Sequence, residues 1–296
     1  MKRGYADTPL GQVHYVTDGE GEPLLLLHEG SRSSRMYWKL IPLLAQEYRA
    51  IAIDYLGFGN SDPLPPSVNP DELAQSVAYF MDALGIKKAH IFGLHTGNKV
   101  ATALSAQFPS RVSSVMLCGQ PHSITYDNQR RVRSSFGAVT SVSGGIVTRA
   151  GGWIPRAEPS SDESHLVRSW AATHSRLTTI WWHPDVLANK ALSSERLQGL
   201  AQRALDFIQS RDSMGDLVPS IAAYDWSSGL RKIQAPTLFI ELATPEEVEQ
   251  YGRQGEALVK VVPNSALATM EGAPGDAIES MPEEMSQVIL GFLRRL

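Results

Sequence analysis

The feature of this sequence that most constrains its fold is an alternation between short, nearly continuous apolar runs and longer amphipathic segments. Such runs include PLLLL at residues 23–27, RAIAI at 49–53 and HIFG at 90–93. They are typical of strands that are buried on both faces of a parallel sheet. Parallel strands need crossover connections, which the amphipathic segments supply as helices. The sequence therefore predicts an α/β fold in which a mostly parallel sheet, with an antiparallel start, is flanked by helices.

Individual elements follow from the same pattern. Strands are predicted at residues 12–17, 23–27, 49–53, 90–93, 112–118, 236–241 and 258–262. Helices are predicted at residues 37–47, 70–84, 98–107 and 282–296.

The strand pattern stops between about residues 123 and 215. This stretch holds four of the six tryptophans and a predicted helix at residues 194–210. We predict a core formed by residues 1–122 and 216–296, with a helical cap inserted at 123–215. Large aromatic side chains suit a lid over an apolar pocket, and Trp170 is the candidate that lines it. Alternatively, the tryptophans only pack the cap helices against one another.

Composition excludes several classes of function. The net charge is −4, and the densest basic run, at residues 130–133, is short, so a surface for nucleic acid is not expected. Cys118 is the single cysteine, which excludes an intrachain disulfide and fits a reducing compartment. The charged N-terminus is not followed by the apolar segment of a signal peptide, and no apolar run is long enough to span a membrane. We expect a cytoplasmic protein that contacts neither nucleic acid nor membrane.

The segment IFGLHTGNKV, at residues 91–100, joins a predicted strand to a predicted helix. Within it, GLHTG has the spacing Gly-x-nucleophile-x-Gly, in which the glycines let strand and helix approach while the middle side chain projects from a strained turn. The residue at the tip of this turn is His95.

Other motifs give this spacing its context. LLLLHEGSRSS at residues 24–34 resembles a His-Gly oxyanion loop, and IAIDYLGFGNSD at 51–62 resembles an Asp-x-x-Gly-x-Gly-x-Ser-Asp turn. Together with FPSRV after the elbow helix and APTLFI before the last strands, these motifs make the chain resemble the cap-bearing branch of the α/β-hydrolase fold superfamily over nearly its whole length. The resemblance implies that His95 stands at a nucleophile elbow. It also implies an oxyanion or substrate-binding site that includes Gly30, Ser31 and Thr96.

The resemblance fails at the positions that carry catalysis in the family. His95 stands where the family usually has a serine, or an aspartate in dehalogenases and epoxide hydrolases. At the position of the family acid the sequence has Thr244, and the late histidine is replaced by Gly275, with Asp276 beside it. In the oxyanion loop, Glu29 replaces the expected glycine. No Ser-His-Asp triad can therefore be read from the sequence.

A histidine at the tip of an elbow lies at the N-terminus of the following helix. The positive end of the helix dipole disfavours imidazolium, so a neutral ring is expected for His95 at pH 7. A neutral imidazole can act as a general base or as a nucleophile that forms an acyl-imidazole. Glu29 is the candidate that holds the other ring nitrogen and fixes the tautomer. The alternative is that His95 only fills the space of a lost nucleophile.

Three further polar residues are candidates for the site. Gln120 and His122 follow the strand that ends at Cys118, near the expected entrance to the cap. His165, in SDESHLVRSW, can point from the cap into the pocket. Other superfamily members resemble this chain in the elbow His-Thr-Gly, a cap Asp-x-x-His-Leu and the missing late histidine, which favours His165. The histidines show no His-x-x-His or His-Glu-x-x-His spacing, so neither a metal nor a cofactor is predicted.

Two functions are compatible with these residues. The first is a cofactor-free enzyme that acts on a small organic molecule through His95, by hydrolysis of an ester, lactone or C–C bond or by lyase or cyclase chemistry. The second is a catalytically silent relative that binds a small ligand under its cap. The α/β-hydrolase fold alone does not distinguish these two functions. The sequence makes no prediction of oligomeric state.

Overall fold

A mostly parallel, eight-stranded sheet organises the part of the chain that the structure, a computed structural model, describes. The described residues are 1–64, 68–119, 139–143, 146–149, 194–243, 248, 252–274 and 276–296. The strands lie in the order β1-β2-β4-β3-β5-β6-β9-β10. Their bounds are Lys2–Thr8 (β1), Gly11–Asp18 (β2), Pro23–Leu27 (β3), Arg49–Ile53 (β4), Ala89–Leu94 (β5), Val112–Cys118 (β6), Thr237–Ala243 (β9) and Ser265–Glu271 (β10).

The β2 strand pairs antiparallel with β1 and with β4, and the remaining neighbours in the sheet are parallel. A separate antiparallel pair is formed by β7 (Val139–Ser143) and β8 (Ile146–Arg149). This pair lies in the stretch predicted as a helical cap, where no strand was predicted. Its β-branched composition favours extended backbone.

Helices connect these strands. Their bounds are Ile41–Leu44 (α1), Pro70–Ala83 (α2), Thr96–Gln107 (α3), Ser194–Ala223 (α4), Trp226–Leu230 (α5), Gly255–Val261 (α6), Ala277–Ser280 (α7) and Pro282–Leu293 (α8). Short 3-10 turns occur at Ser34–Tyr37 and Pro109–Arg111. Within the described ranges, the helices fall short of the combination of length and apolar character that a membrane span requires.

Both faces of the sheet are covered, which explains the continuous apolar runs. On one face, Leu25, Leu27 and Ile91 pack with residues of α2 and α3. On the other, Leu24 and Leu26 pack with residues of α1, α7 and α8. Each fully buried side chain of this size contributes roughly 1.5–3 kcal/mol to the transfer free energy that drives folding. The predicted α/β fold, a mostly parallel sheet with an antiparallel start and flanking helices, is therefore confirmed, whereas most of the predicted cap lies outside the described residues.

Two predicted elements differ from the structure, and the strand β10 was not predicted. The strand predicted at residues 258–262 is wrong, because α6 occupies this segment and the strand follows at β10. In LVKVV the buried positions are Leu258 and Val262, which are four residues apart and share one face of a helix. The β10 strand lies at the edge of the sheet and is largely exposed, so it carries no continuous apolar run. The helix predicted at 37–47 is reduced to a 3-10 turn and the four residues of α1.

The helix predicted at residues 194–210 continues to Ala223 as α4. The predicted boundary between cap and core, at residue 215, thus falls inside a helix. The side chains of Met214, Leu217 and Ile221 are buried in the same core as α2 and α3. The N–H of Ser31 contacts the sulfur of Met214, and the hydroxyl of Ser213 donates to the carbonyl of Gly57, so α4 lies against the loops that follow β3 and β4.

Candidate active site

The turn between β5 and α3 has the geometry that the Gly-x-His-x-Gly motif predicts. His95 is the N-cap residue of α3, and its backbone has φ 49° and ψ −102°. Its N–H donates to the carbonyl of Cys118 at 3.1 Å, which ties the turn to the end of β6. His95 therefore stands at the carboxyl edge of the sheet, as the elbow motif requires.

The two glycines of the motif are required by close backbone contacts. A Cβ at Gly93 would lie 2.4 Å from the carbonyl oxygen of Gly97, and a Cβ at Gly97 would lie 2.2 Å from the carbonyl oxygen of Leu27. Both distances are far inside van der Waals contact. Side chains at these positions would separate β5, α3 and the end of β3, so glycine is what lets the elbow close.

Backbone strain is concentrated at this edge. Among the non-glycine residues that the structure describes, positive φ occurs at Ser31, with 56°, and at His95, with 49°. A side chain in such a conformation costs on the order of 1–3 kcal/mol, and strain of this kind clusters at functional sites. The two strained residues belong to the oxyanion-type loop and to the elbow, which are the segments that the sequence singles out.

Glu29 and His95 form a hydrogen-bonded pair. Nδ1 of His95 lies 2.8 Å from Oε2 of Glu29. An ionised carboxylate only accepts hydrogen bonds, so Nδ1 carries the proton and the lone pair of the neutral ring is on Nε2. The Nε2 edge faces the backbone after β6, because a Cβ at Gly119 would lie 2.4 Å from Nε2. The pair is partly accessible, with 19% of the His95 side chain and 21% of the Glu29 side chain exposed.

Charges around Glu29 favour its ionised form. Burial alone would raise the pKa of Glu29, but the hydrogen bond from His95 and the nearby charges of Arg32 and Arg203 outweigh it, so the pKa lies below its ordinary value. Glu29 is therefore a carboxylate at neutral pH and can stabilise positive charge that develops on His95 during a reaction.

The neighbouring His28 has a different role. Its Nδ1 contacts the carbonyl of Glu29 at 2.7 Å, and its Nε2 accepts a hydrogen bond from the N–H of Tyr55 at 3.2 Å. Burial lowers the pKa of this fully buried ring, which keeps it neutral. Both nitrogens are used to hold backbone, so His28 fixes the loop that carries Glu29.

The predicted oxyanion residues lie beside the pair. A Cβ at Gly30 would lie 3.1 Å from Oγ1 of Thr96 and 2.8 Å from Cε of Met214, which places the loop, the start of α3 and α4 in contact. The N–H of Ser31 points to the sulfur of Met214 at 3.2 Å. A thioether is a weak acceptor. A substrate oxygen would be a stronger partner for this donor.

A set of ion pairs, here called the ion-pair network, connects Glu29 to α4 and to the segment around α7. Arg32, which is 6% exposed, contacts Glu29 at 3.5 Å, Asp206 at 3.5 Å and Glu279 at 2.7 Å. Arg203 contacts Glu279 at 2.6 Å and Asp276 at 3.0 Å. Buried charges of this kind need such partners to offset the loss of hydration. Two members of the network, Asp276 and Glu279, follow closely in the sequence on position 275, the one that corresponds to the family's late histidine.

A cavity of 460 Å³ borders the network. Its lining includes Trp38, Gln202, Arg203 and Glu279, and His95 is not among the lining residues. Because its described lining does not include the elbow histidine, this cavity is not the candidate substrate site.

The structure brings together five of the residues predicted for the site. They are Glu29, Gly30, Ser31, His95 and Thr96. The other predicted residues, Gln120, His122, His165 and Trp170, lie outside the described residues, as do Thr244 and Gly275. Among the described side chains, no three of the His, Cys, Asp and Glu residues are grouped as metal ligands.

The ion-pair network was not predicted from the sequence. Arg32 is separated from Asp206 by 174 positions and from Glu279 by 247 positions, so no local spacing connects them. Met214 was missed for the same reason. Arg32 could have been predicted as a neighbour of Glu29, because the two residues are three positions apart in the same loop.

The chain is similar to one family model and to curated proteins of known name. A family model described as "alpha/beta hydrolase fold" matches residues 22–142. Haloalkane dehalogenase 2 of Mycobacterium tuberculosis is 35% identical over 112 residues, which cover 38% of this chain and 39% of that protein. A 2-hydroxy-6-oxononadienedioate/2-hydroxy-6-oxononatrienedioate hydrolase of Pseudomonas putida is 26% identical over 295 residues, 96% of this chain and 92% of the relative.

Solved structures share the fold at low sequence identity. The enol-lactonase of Burkholderia xenovorans LB400 superposes with a TM-score of 0.69 at 18% identity, over 98% of this chain and 100% of that chain. A bromoperoxidase of Bacillus anthracis superposes with a TM-score of 0.71 at 19% identity, over 99% and 100% of the two chains. At this level of sequence identity the two structures show that the fold is shared.

Proposed function

We propose that the chain, which a family model described as "alpha/beta hydrolase fold" matches over residues 22–142, is a cofactor-free, hydrolase-type enzyme that acts on a small organic molecule through Glu29 and His95. The observation that carries the proposal is the 2.8 Å contact between Nδ1 of His95 and Oε2 of Glu29 at the tip of the elbow. The names of the relatives support the substrate class, since they include a dehalogenase of haloalkanes, a hydrolase of a dienedioate and an enol-lactonase.

In the first of two routes, His95 is a general base. Nε2 takes a proton from water, and the water oxygen attacks the carbonyl carbon of an ester, lactone or β-diketone. The carbonyl oxygen becomes an oxyanion and accepts hydrogen bonds from the N–H groups of Ser31 and Thr96. When the tetrahedral intermediate collapses, the leaving group takes the proton from Nε2. Glu29 stabilises the imidazolium between the two proton transfers.

In the second route, His95 is the nucleophile. Nε2 attacks the carbonyl carbon and the bond to the leaving group breaks. The Nδ1 proton passes to Glu29, which returns it through water to the leaving group, and a neutral acyl-imidazole remains on the ring. Water then hydrolyses this acyl group and regenerates the neutral histidine. The same Nε2 can also remove a proton from a substrate carbon or hydroxyl, which would give lyase or cyclase chemistry. His165 and Trp170 remain predicted contributors from the cap in either route.

A specific observation favours a second candidate function, a silent relative that binds a small ligand. The N–H of Ser31, a donor that hydrolysis would use, is occupied by the sulfur of Met214. If this contact persists when a ligand binds, the site loses one of its two oxyanion donors, which typically lowers kcat by on the order of 100- to 1000-fold and favours binding without detectable turnover. The two functions differ in a measurable way, because only the enzyme loses a rate when His95 is removed.

The test is a turnover screen on panels of esters, lactones and β-diketones, followed by kinetics of His95→Ala on any substrate found. We expect a fall in kcat/KM on the order of 100-fold or more, because base or nucleophilic catalysis is lost. His90→Ala is the matched control. His90, like His95, is a histidine of the β5 segment with a carboxylate partner, Glu22 at 2.9 Å, but it is buried and lies away from the elbow.

Mass spectrometry of rapidly quenched reactions separates the two routes. A mass increase of one acyl group on the peptide that contains His95 indicates the nucleophile, and its absence during turnover indicates the base. Full turnover by a folded His95→Ala variant would exclude both routes. Absence of turnover across the panels, with ligand binding retained, would favour the silent relative.

A further inference from the structure

The Glu29 carboxylate is held from two sides. Oε2 faces Nδ1 of His95 at 2.8 Å, whereas Oε1 faces Nη1 of Arg32 at 3.5 Å. A carboxylate attached by a flexible side chain can rotate about its last torsion, so a partner on only one oxygen leaves its plane undefined. The cation on Oε1 restricts this rotation and directs Oε2 at the imidazole.

Arg32 is itself oriented by two other carboxylates. Its Nε lies 3.5 Å from Asp206 on α4, and its Nη2 lies 2.7 Å from Glu279 on α7. Asp206 is 1% exposed, and it also accepts hydrogen bonds from Ser33 at 2.9 Å and Gln202 at 2.8 Å. Because guanidinium is planar and rigid, three contacts at three different nitrogens fix its position and its plane.

Neutralisation of charge does not account for the contact with Glu29. Asp206 and Glu279 already provide two negative charges to one guanidinium. The described network contains four carboxylates, on Glu29, Asp206, Asp276 and Glu279, and two guanidiniums, on Arg32 and Arg203. Without Arg32, Glu29 would face an excess of negative charge and would turn away from the network or take up a proton.

We propose that Arg32 is a positioning residue, which holds the Glu29 carboxylate against Nδ1 of His95 and is itself held in place by α4 through Asp206. The inference rests on the function proposed above, and it adds a residue that does not touch the reacting atoms. It also makes the docking of α4 on the sheet a condition for an ordered Glu29–His95 pair.

The first test does not depend on turnover. In a protein labelled with ¹⁵N histidine, the ring nitrogen shifts of His95 report which nitrogen carries the proton, and the His95→Ala spectrum assigns them. We expect the wild type to have the proton on Nδ1, and Arg32→Gln to give a mixture of both tautomers, because Glu29 is no longer held. An Arg32→Gln spectrum identical to that of the wild type in the folded protein would overturn the proposal.

The second test uses kinetics on a substrate found in the screen. We expect Arg32→Gln to lower kcat by about tenfold and to change KM by less than about twofold, because the residue orients the pair and does not bind substrate. The acid limb of the pH–rate profile should move to higher pH, since Arg32 is one of the charges that lower the pKa of Glu29. Two other described groups, His95 and Arg203, can carry a positive charge near Glu29, and both are unchanged in this variant.

Two further variants separate positioning from structure. Arg32→Lys keeps the charge but cannot reach three carboxylates at once, so we expect it to recover only part of kcat. Asp206→Asn tests the role of α4. It keeps the shape and leaves Arg32 with Glu279, so a smaller loss of kcat is expected, and a wild-type tautomer with wild-type kcat would overturn the role of Asp206. If Arg32→Gln does not fold, the His95 tautomer and kcat are measured on Arg32→Lys instead. An Arg32→Lys variant with the wild-type spectrum and the wild-type kcat would contradict the proposal.

The outcomes distinguish this inference from the proposed function. A protein without turnover, whose His95 tautomer nevertheless depends on Arg32, would support the positioning role and refute the enzyme. A protein whose turnover is lost in His95→Ala but is unaffected by Arg32→Gln would support the enzyme and refute the positioning role. A lower melting temperature of Arg32→Gln, with unchanged tautomer and kcat, would show that Arg32 only stabilises the fold.

Discussion

Two histidine–carboxylate pairs in this molecule have the same separation and different surroundings. Nδ1 of His14 lies 2.8 Å from Asp54, and Nδ1 of His95 lies 2.8 Å from Glu29. In the first pair the side chains are 5% and 1% exposed, whereas in the second they are 19% and 21% exposed. A short contact between histidine and carboxylate therefore does not identify a site by itself.

The difference lies in what else the carboxylate binds. Asp54 accepts hydrogen bonds from the backbone N–H groups of Ser34, at 2.6 Å, and Asn60, at 3.0 Å, so it holds two loops together. Glu29 contacts only side chains among the described partners, and its histidine stands on a strained turn. Backbone partners make the first pair structural, whereas the second pair stands on a strained turn, a kind of position at which functional residues cluster.

The largest effect that tests this contrast is expected from Asp54→Ala. The substitution leaves His14 and two buried N–H groups without their acceptor, and we expect a loss of roughly 3–5 kcal/mol in the free energy of unfolding. Urea denaturation measures this loss. The specific activity of the fraction that remains folded should be close to that of the wild type. A loss of less than about 1 kcal/mol would contradict the structural assignment of this pair.

The pH dependence of the free energy of unfolding provides an independent test of the His14–Asp54 pair. Burial alone would raise the pKa of Asp54, but the hydrogen bond from His14, the nearby His28 and the two backbone donors bring it below the ordinary value. A carboxyl whose pKa is lower in the folded state adds stability at pH values above its unfolded pKa, and this stability is lost as the pH falls through the folded pKa. Stability should therefore fall below about pH 4, and Asp54→Asn should reduce this dependence.

The next largest effect is expected from Glu29→Gln, the corresponding change in the other pair. Glutamine keeps the size of the side chain but cannot stabilise imidazolium by charge, so we expect kcat to fall by about tenfold or more. The free energy of unfolding should change by less than about 1 kcal/mol, because Arg32 retains Asp206 and Glu279. Parallel kinetics and urea denaturation check both values. A variant that loses stability while keeping its rate would make Glu29 another structural carboxylate.

The contrast between the pairs also shows how far the sequence can predict this molecule. The strands with two buried faces were predicted because their apolar runs are continuous, whereas the exposed edge strand β10 was missed and α6 was taken for a strand. His95 and Glu29 were predicted as partners because two motifs place them on neighbouring loops at one edge of a sheet. Arg32 and Asp206 meet only through the packing of α4, and no periodicity or motif encodes that contact. The roles of Gln120, His122, His165 and Trp170 remain predictions.

The smallest effect concerns the backbone of the two histidines and distinguishes them without an assay of activity. His95 has φ 49°, so glycine at this position relieves strain that alanine retains. We expect His95→Gly to be more stable than His95→Ala by about 1 kcal/mol, although both variants lack the ring.

His14 lies in the extended strand β2, where glycine is less favourable than alanine by roughly 0.5–1 kcal/mol. The order of the two variants should therefore reverse, with His14→Ala more stable than His14→Gly. Both members of each comparison lose the same side chain, so differences in packing and hydrogen bonding largely cancel, and the sign of the difference reports the backbone alone. Urea denaturation of the four variants provides the measurement. If His95→Ala were the more stable of its pair, the turn would carry no strain, and strain would not distinguish the elbow from the rest of the fold.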